Sequence, residues 1–225
     1  MRVVLKRSVF ETPTTAERDW ALLELLRRGQ SEFHAVICDP PFDRDGQDPA
    51  NQWIRALVGN PGLQRLIEQT LVDGTSKAAS LSAGAPTVFV HVQESDWARQ
   101  RLSVLHTVAL LRRSLRLLVE NRRADFCFLR RLAPTRQREL LLRALDCGEL
   151  EVEQGGGLGE VKARLDELAP EPSASAAEAL SRRIARLRLC VVFDRDSDAQ
   201  DRSEPSEASR DLLARCQALC EGDPW

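Results

Sequence analysis

Val191-Val-Phe-Asp194-Arg-Asp196 is the segment whose residue types and spacing point most directly to chemistry. A hydrophobic run ends there in two aspartates, and side chains two apart on an extended chain emerge on the same side. Two carboxylates held close repel each other until a cation sits between them, and an all-oxygen pair suits Mg²⁺ or Mn²⁺. A second apolar run, Leu117-Leu-Val-Glu120, also ends in a carboxylate and leads directly into Asn121-Arg-Arg-Ala-Asp125. β-Propensity does not account for a glutamate at that point. Each acid also has a plainer explanation: Asp194 starts a loop, Glu120 offsets the positive end of the following helix, and Asp125 caps that helix. Two strands that independently end in acids point together to a shared cation site built from Glu120, Asp194 and Asp196.

Other segments are less specific. Glu153-Gln-Gly155-Gly-Gly157-Leu-Gly159-Glu160 sets glycines between an apolar run and a helical pattern. They allow close backbone approach to a ligand or a tight turn. The turn is the simpler account, since the segment is neither a Walker loop nor a G-x-G-x-x-G fingerprint. Ala35-Val-Ile-Cys-Asp39-Pro40-Pro41-Phe42 resembles the Asp-Pro-Pro-aromatic motif of amino-group DNA methyltransferases, in which the aromatic residue stacks on a flipped base. No acidic residue is found on a following strand for the cofactor ribose, and a strand end followed by a Pro-Pro turn explains the segment as well. His91 and His106 read as structural and form no legible triad with Ser95 and Asp96. Trp20, Trp53 and Trp97 read as core or interface anchors.

The 225 residues carry a formal net charge of −2, unevenly spread. Between Arg99 and Arg143 twelve arginines face only Glu120, Asp125 and Glu139, and much of the balancing acid follows Asp194. Such a region suits a polyanion, and the alternative is a solvated helix surface. With 43% hydrophobic and 29% charged residues, a mainly disordered chain is excluded. Arg112, Arg113 and Arg116 break the best membrane candidate, Val104–Val119, and the N-terminus lacks a signal-peptide pattern. A soluble, cytoplasmic protein with no membrane partner is expected. Cys38, Cys127, Cys147, Cys190, Cys216 and Cys220 form no CxxC pair and are expected to be reduced. Cys127 and Cys190, inside apolar runs, are expected to act as small hydrophobes. Cys216 and Cys220 share a helix face with no histidine nearby to complete a zinc site.

The elements that must position these residues follow from periodicity. Strands are expected at Arg2–Val9, Ala35–Cys38 and Thr87–Val92. Helices are expected at Thr15–Arg28, at Gln52–Leu71 with a break at Gly59-Asn-Pro-Gly62, and at Ser95–Arg113. Beyond residue 113 the pattern reads strand Leu115–Val119, helix Ala124–Leu145 with a break at Pro134-Thr135, strand Leu150–Glu153 and helix Gly159–Leu168. A surface loop follows at 169–175, then a strand at the end of Ile184–Phe193 and a helix over Glu207–Cys220. Alternation of this kind predicts an α/β fold with a mostly parallel sheet covered on both faces. Residues 1–113 form one α/β region and 114–225 a second.

The order strand–Glu, helix, strand, glycine turn, helix, strand–Asp-x-Asp resembles the Toprim (topoisomerase–primase) domain. It is most similar to the Toprim nucleases of bacterial antiphage systems, including the overcoming-lysogenisation-defect type. Leu117-Leu-Val-Glu120-Asn-Arg-Arg-Ala-Asp125-Phe-Cys-Phe-Leu129 resembles that family's opening hydrophobics-Glu-Gly-x-x-Asp-x-x-Phe-Leu segment, and Glu151-Val-Glu-Gln-Gly-Gly-Gly resembles its second strand and turn. Asn121 stands where the family has glycine, and asparagine enters the left-handed region more readily than most residues. The likeness covers 114–200.

That resemblance implies a Mg²⁺- or Mn²⁺-dependent site for phosphodiester chemistry. Glu120 would be the metal-binding or acid/base glutamate, and Asp194 and Asp196 the metal-binding pair, with two metals about 4 Å apart activating water and stabilising the departing oxygen. Arg122, Arg123, Arg130 and Arg131 would track a nucleic-acid backbone. About thirty residues follow Asp196, leaving little room for a last strand, so a short sheet, a longer parent chain or dependence on a protein partner or second copy is expected. The expectation is therefore a nuclease, with residues 1–113 binding a partner or regulating. The alternative is a non-catalytic Toprim-like interaction subunit, and the third reading is the methyltransferase.

Overall fold

Short aliphatic and β-branched runs build two separate parallel sheets, one in each of the two units into which the described residues divide, Met1–Arg112 and 113–221. The computed structural model describes residues 1–11, 15–57, 59–194 and 204–221.

The first unit runs β1 (Arg2–Lys6), α1 (Ser8–Glu11), α2 (Ala16–Gly29), β2 (Ala35–Asp39), α3 (Pro49–Leu57), α4 (Pro61–Ser80), β3 (Thr87–His91), β4 (Arg101–Ser103) and α5 (Val104–Arg112). Its strands pair in parallel in the order β2-β1-β3-β4. The starts of α2 and α4 follow from capping chemistry. The Thr15 hydroxyl accepts from the Arg18 N–H, and the Asn60 side chain accepts from the Gly62 and Leu63 N–H groups ahead of Pro61. Gly74 lets α4 lie against β2, because a Cβ there would stand 1.9 Å from the Val36 carbonyl oxygen. Leu22, Leu25, Leu26, Val88, Leu102 and Leu110 are buried in this core. Trp53 is buried too, edge-to-face with Phe10 at 5.8 Å, and its Nε1 donates to the buried Asp19 carboxylate at 3.0 Å. Trp20, by contrast, is 73% exposed and lines a groove with Leu63, Leu66 and Leu105.

The second unit runs β5 (Leu115–Val119), α6 (Ala124–Leu132), α7 (Thr135–Asp146), β6 (Leu150–Gln154), α8 (Leu158–Glu167), α9 (Ala176–Leu187), β7 (Leu189–Val192) and α10 (Glu207–Cys220). Its parallel sheet has the order β6-β5-β7, so β5 is central. Side chains alternate along β5. Leu117 and Val119 pack with Phe126, Leu129, Leu141 and Leu145 of α6 and α7, while Leu118 packs with Val161 and Leu165 of α8 and Leu212 of α10. The α/β class and the parallel pairing agree with the expectation from the strand–helix alternation.

Local assignments differ in four places. Arg2–Val9 is not one strand: β1 ends at Lys6 and α1 begins at Ser8, burying Val9 and Phe10. Ser95–Arg113 is not one helix. Gln100 adopts φ 57°, Asp96 and Arg101 bridge, and β4 joins the sheet edge with Leu102 fully buried before α5 begins. The strand at the end of Ile184–Phe193 is the short edge strand β7, only partly covered and not buried, and residues 184–187 close α9, a helix that starts directly after the loop at 169–175 with a Ser175–Glu178 capping box. Cys127 and Cys190 are exposed, not buried hydrophobes, because α6 turns Cys127 outward and β7 is an edge strand. Among the described residues no helix is long and apolar enough to cross a membrane.

Candidate metal and nucleic-acid site

The carboxyl ends of its strands are where an open α/β sheet leaves room for ligands. Val119 of β5 pairs with Val192 of β7, so Glu120 and the Phe193–Asp194 pair leave the sheet at the same edge. There the Glu120 carboxylate accepts, through Oε1, a hydrogen bond of 3.0 Å from the Asp194 N–H. The Asp194 carbonyl in turn accepts from the hydroxyl of Ser209 at 3.4 Å. Ser209 is 3% exposed and sits in the first turn of α10, where Ser206 accepts from the Ser209 N–H. The main chain of Asp194 is thus held on both sides while its side chain is exposed, with no hydrogen bond or ion pair to its carboxylate among the described residues. Asp196 lies outside the described residues.

The turn after Glu120 is built from polar side chains. Asn121 Oδ1 accepts from the N–H groups of Arg123 and Ala124 at 3.0 and 3.2 Å, and Asp125 Oδ2 accepts from the Asn121 N–H at 2.7 Å. The two residues close the N-terminus of α6 reciprocally, which is the capping role expected of Asp125. Among the described non-glycine residues only Gln100 has a positive φ, so Asn121 serves through its side-chain oxygen and not through a left-handed backbone.

The three glycines after β6 have structural reasons of their own. Gly156 and Gly157 take φ of 84° and 121°, and a Cβ on Gly155 would lie 2.3 Å from Val161 Cγ2. The Gly155 N–H donates to the Val119 carbonyl and the Gly156 N–H to the Glu120 carbonyl. The turn therefore fastens β6 to the end of β5 beside the glutamate.

The arginines separate. Arg131 lines a cleft of about 720 Å³ with Asp125, Phe128, Val192, Phe193 and Asp194. Arg122 lines a different, more polar cleft with Arg116, Glu153 and Arg164. Arg123 is exposed at the start of α6, and Arg130 is half-buried in its last turn. The Arg130 and Arg131 carbonyls accept from the Arg138 guanidinium, which closes the end of α6.

The donors suit a hard cation in kind. Glu120 keeps Oε2 and Asp194 its whole carboxylate for an oxygen-ligated ion, although no group of three or more His, Cys, Asp and Glu residues converges among the described residues. In the first unit the motif at the end of β2 is differently engaged. Lys6 forms an ion pair with Asp39, and the Asp39 carbonyl accepts from the Arg7 N–H. The glycine turn that a methyltransferase would need belongs to the other sheet. Ser95 Oγ does meet His106 Nδ1 at 2.6 Å, a contact the sequence did not reveal. The same oxygen accepts from the Ser103 N–H, so it closes the loop that leads into α5. Ser209 is the positioning residue that sequence reasoning missed, and the Ser206-x-x-Ser209 cap spacing was its only signal. No family model, curated protein or solved structure matches this chain.

Proposed function

We propose that the second unit is a Toprim-like, metal-dependent nuclease domain, with Glu120 and Asp194 in its site and Asp196 completing the acidic set. The observation that carries this reading is the hydrogen bond between the Glu120 carboxylate and the Asp194 backbone, which joins two acidic strand ends at one edge of a parallel sheet. Mg²⁺ or Mn²⁺ bound there supplies Lewis-acid activation of water and charge stabilisation at the phosphodiester. Within the protein, Glu120 both presents Oε2 and fixes the backbone from which Asp194 projects, and Ser209 fixes that backbone from the other side. The exposed Arg122, Arg123 and Arg131 and the half-buried Arg130 offset the charge of a nucleic-acid backbone.

The test is cleavage of single- and double-stranded DNA and RNA with Mg²⁺ or Mn²⁺. Glu120→Gln and Asp194→Asn are expected to reduce it at least a hundredfold with folding unchanged. Ser209→Ala, which loosens Asp194 without removing a ligand, is expected to reduce it about tenfold, matching the loss of one hydrogen bond. Cleavage that persists in Asp194→Asn overturns the proposal.

A further inference from the structure

The cleft beside Asp194 has an apolar wall that the metal site alone does not require. Phe128 is 61% exposed on α6 and forms one wall, while Val192, Phe193 and Leu129 make the rest apolar and Asp125, Arg131 and Asp194 sit among them. The sheet-facing side of α6 is already fastened through Phe126 and Leu129, so Phe128 is held on a rigid element without contributing to that core. Arg131, one turn further along, is exposed and makes no ion pair among the described residues. An apolar cleft edged by two carboxylates repels a phosphate but admits a neutral, flat group. Arg131 in its lining attracts the charged chain to which such a group is attached.

We propose that this cleft holds one unstacked base of a single-stranded nucleic acid against the Phe128 ring, with Arg131 beside the adjoining backbone. A base inside a duplex has both faces covered by its neighbours and cannot present one to Phe128; a base in a single strand or frayed end can. The proposal rests on the nuclease reading of the Glu120–Asp194 edge and adds to it the substrate class.

Binding is measured on the intact protein in chelator, where no cleavage occurs, using 2-aminopurine-labelled single-stranded DNA, single-stranded RNA and blunt duplex. The expected result is quenching of the fluorophore by single strands, with affinity weakened about tenfold in Phe128→Ala, retained in Phe128→Trp and unchanged for duplex in both. The DNA and RNA arms identify which strand is preferred. Circular dichroism confirms that the variants fold. Single-strand affinity independent of Phe128, or an equal loss on duplex, overturns the proposal. So does a failure to bind single strands accompanied by a change in self-association, which makes Phe128 a protein contact. Adding Mg²⁺ to the same samples separates the two ideas. Phe128-dependent binding without cleavage supports the base cleft and removes the hydrolytic reading, whereas cleavage with Phe128-independent binding does the reverse.

Discussion

The two units use the same architecture, a parallel sheet with helices against it, and finish the carboxyl ends of their strands in different ways. In the first, the charges at that edge are paired internally. Lys6 pairs with Asp39 and lies over the Phe89 ring at 5.2 Å, while burial, with Arg101 and Lys6 nearby, holds His91 below the usual histidine range. In the second, the acid at the end of β5 is used to hold the end of β7, and the Asp194 side chain stays open. The cores differ in the same direction. Of the twelve largest fully buried side chains, only Leu118 and Leu212 belong to the second unit, and neither α6 nor α7 buries any residue completely. A deep core is what a stable scaffold needs. A thin core beside the open Asp194 carboxylate and the exposed Phe128 ring is what a ligand-binding surface needs, since the groups that bind cannot also be satisfied internally.

The comparison can be broken most directly in the cores. Leu118→Ala and Leu25→Ala remove the same group from fully buried sites, each at a cost of about 3 kcal/mol. The first is expected to unfold most of the second unit, and the second to leave the first unit folded at a lower melting temperature. Hydrogen exchange resolved by segment reads both, and equal protection in the two variants contradicts the difference in core depth.

A smaller effect tests the charge pairing in the first unit. Hydrogen bonds from Arg27 and Arg28, aided by Arg112, hold the Glu24 carboxyl at about 2 against an ordinary value of 4.5, although burial acts the other way. A carboxyl lowered on folding stabilises the folded state fully above its unfolded value and loses that contribution as the pH falls to its folded value. Glu24→Gln is therefore expected to cost about 1 kcal/mol at pH 7. The wild-type advantage should shrink below pH 4.5 and be nearly gone by pH 2. Urea unfolding across that range measures it, and a constant difference refutes the assignment.

The smallest signal is chemical. Burial, with Asp48 nearby, pushes the Cys38 thiol up to about 12, while Cys127, Cys147 and Cys220 are exposed and Cys190, also exposed, has its thiol raised by partial desolvation. Alkylation of the native protein at pH 8, followed by mass spectrometry, is expected to modify Cys127, Cys147 and Cys220 first and Cys38 last. Early loss of Cys38 would mean that the first unit opens as readily as the second.

Much of the scaffold was legible from local pattern. The helix start near Thr15, the breaks near Pro61 and Pro134 and the apolar strands β2, β3, β5 and β6 each carry their signal within a few residues. What escaped were elements whose local signal is ambiguous. β4 is three residues long and is a strand only because β3 lies beside it, and the first turns of α9, directly after the loop at 169–175, were assigned to no element. In the candidate site, Glu120 and Asp194 were legible because an acid ending a hydrophobic run conflicts with strand propensity. Ser209 and Phe128 were not, because a serine near a helix start and a phenylalanine in a helix look ordinary until their surroundings are known.

The sequence by itself determined the α/β class, the parallel pairing and the two acidic strand ends, since these depend on side-chain period and on residues next to one another in the chain. Only the tertiary structure decided that β5 lies between β6 and β7, that Asp194 hangs from the Glu120 carboxylate, and that Phe128 faces the same cleft as Asp194. Those are choices among long-range pairings, such as Leu115 with Leu150 and Arg116 with Leu189, settled by how the faces of a sheet are covered and invisible to any window of local sequence.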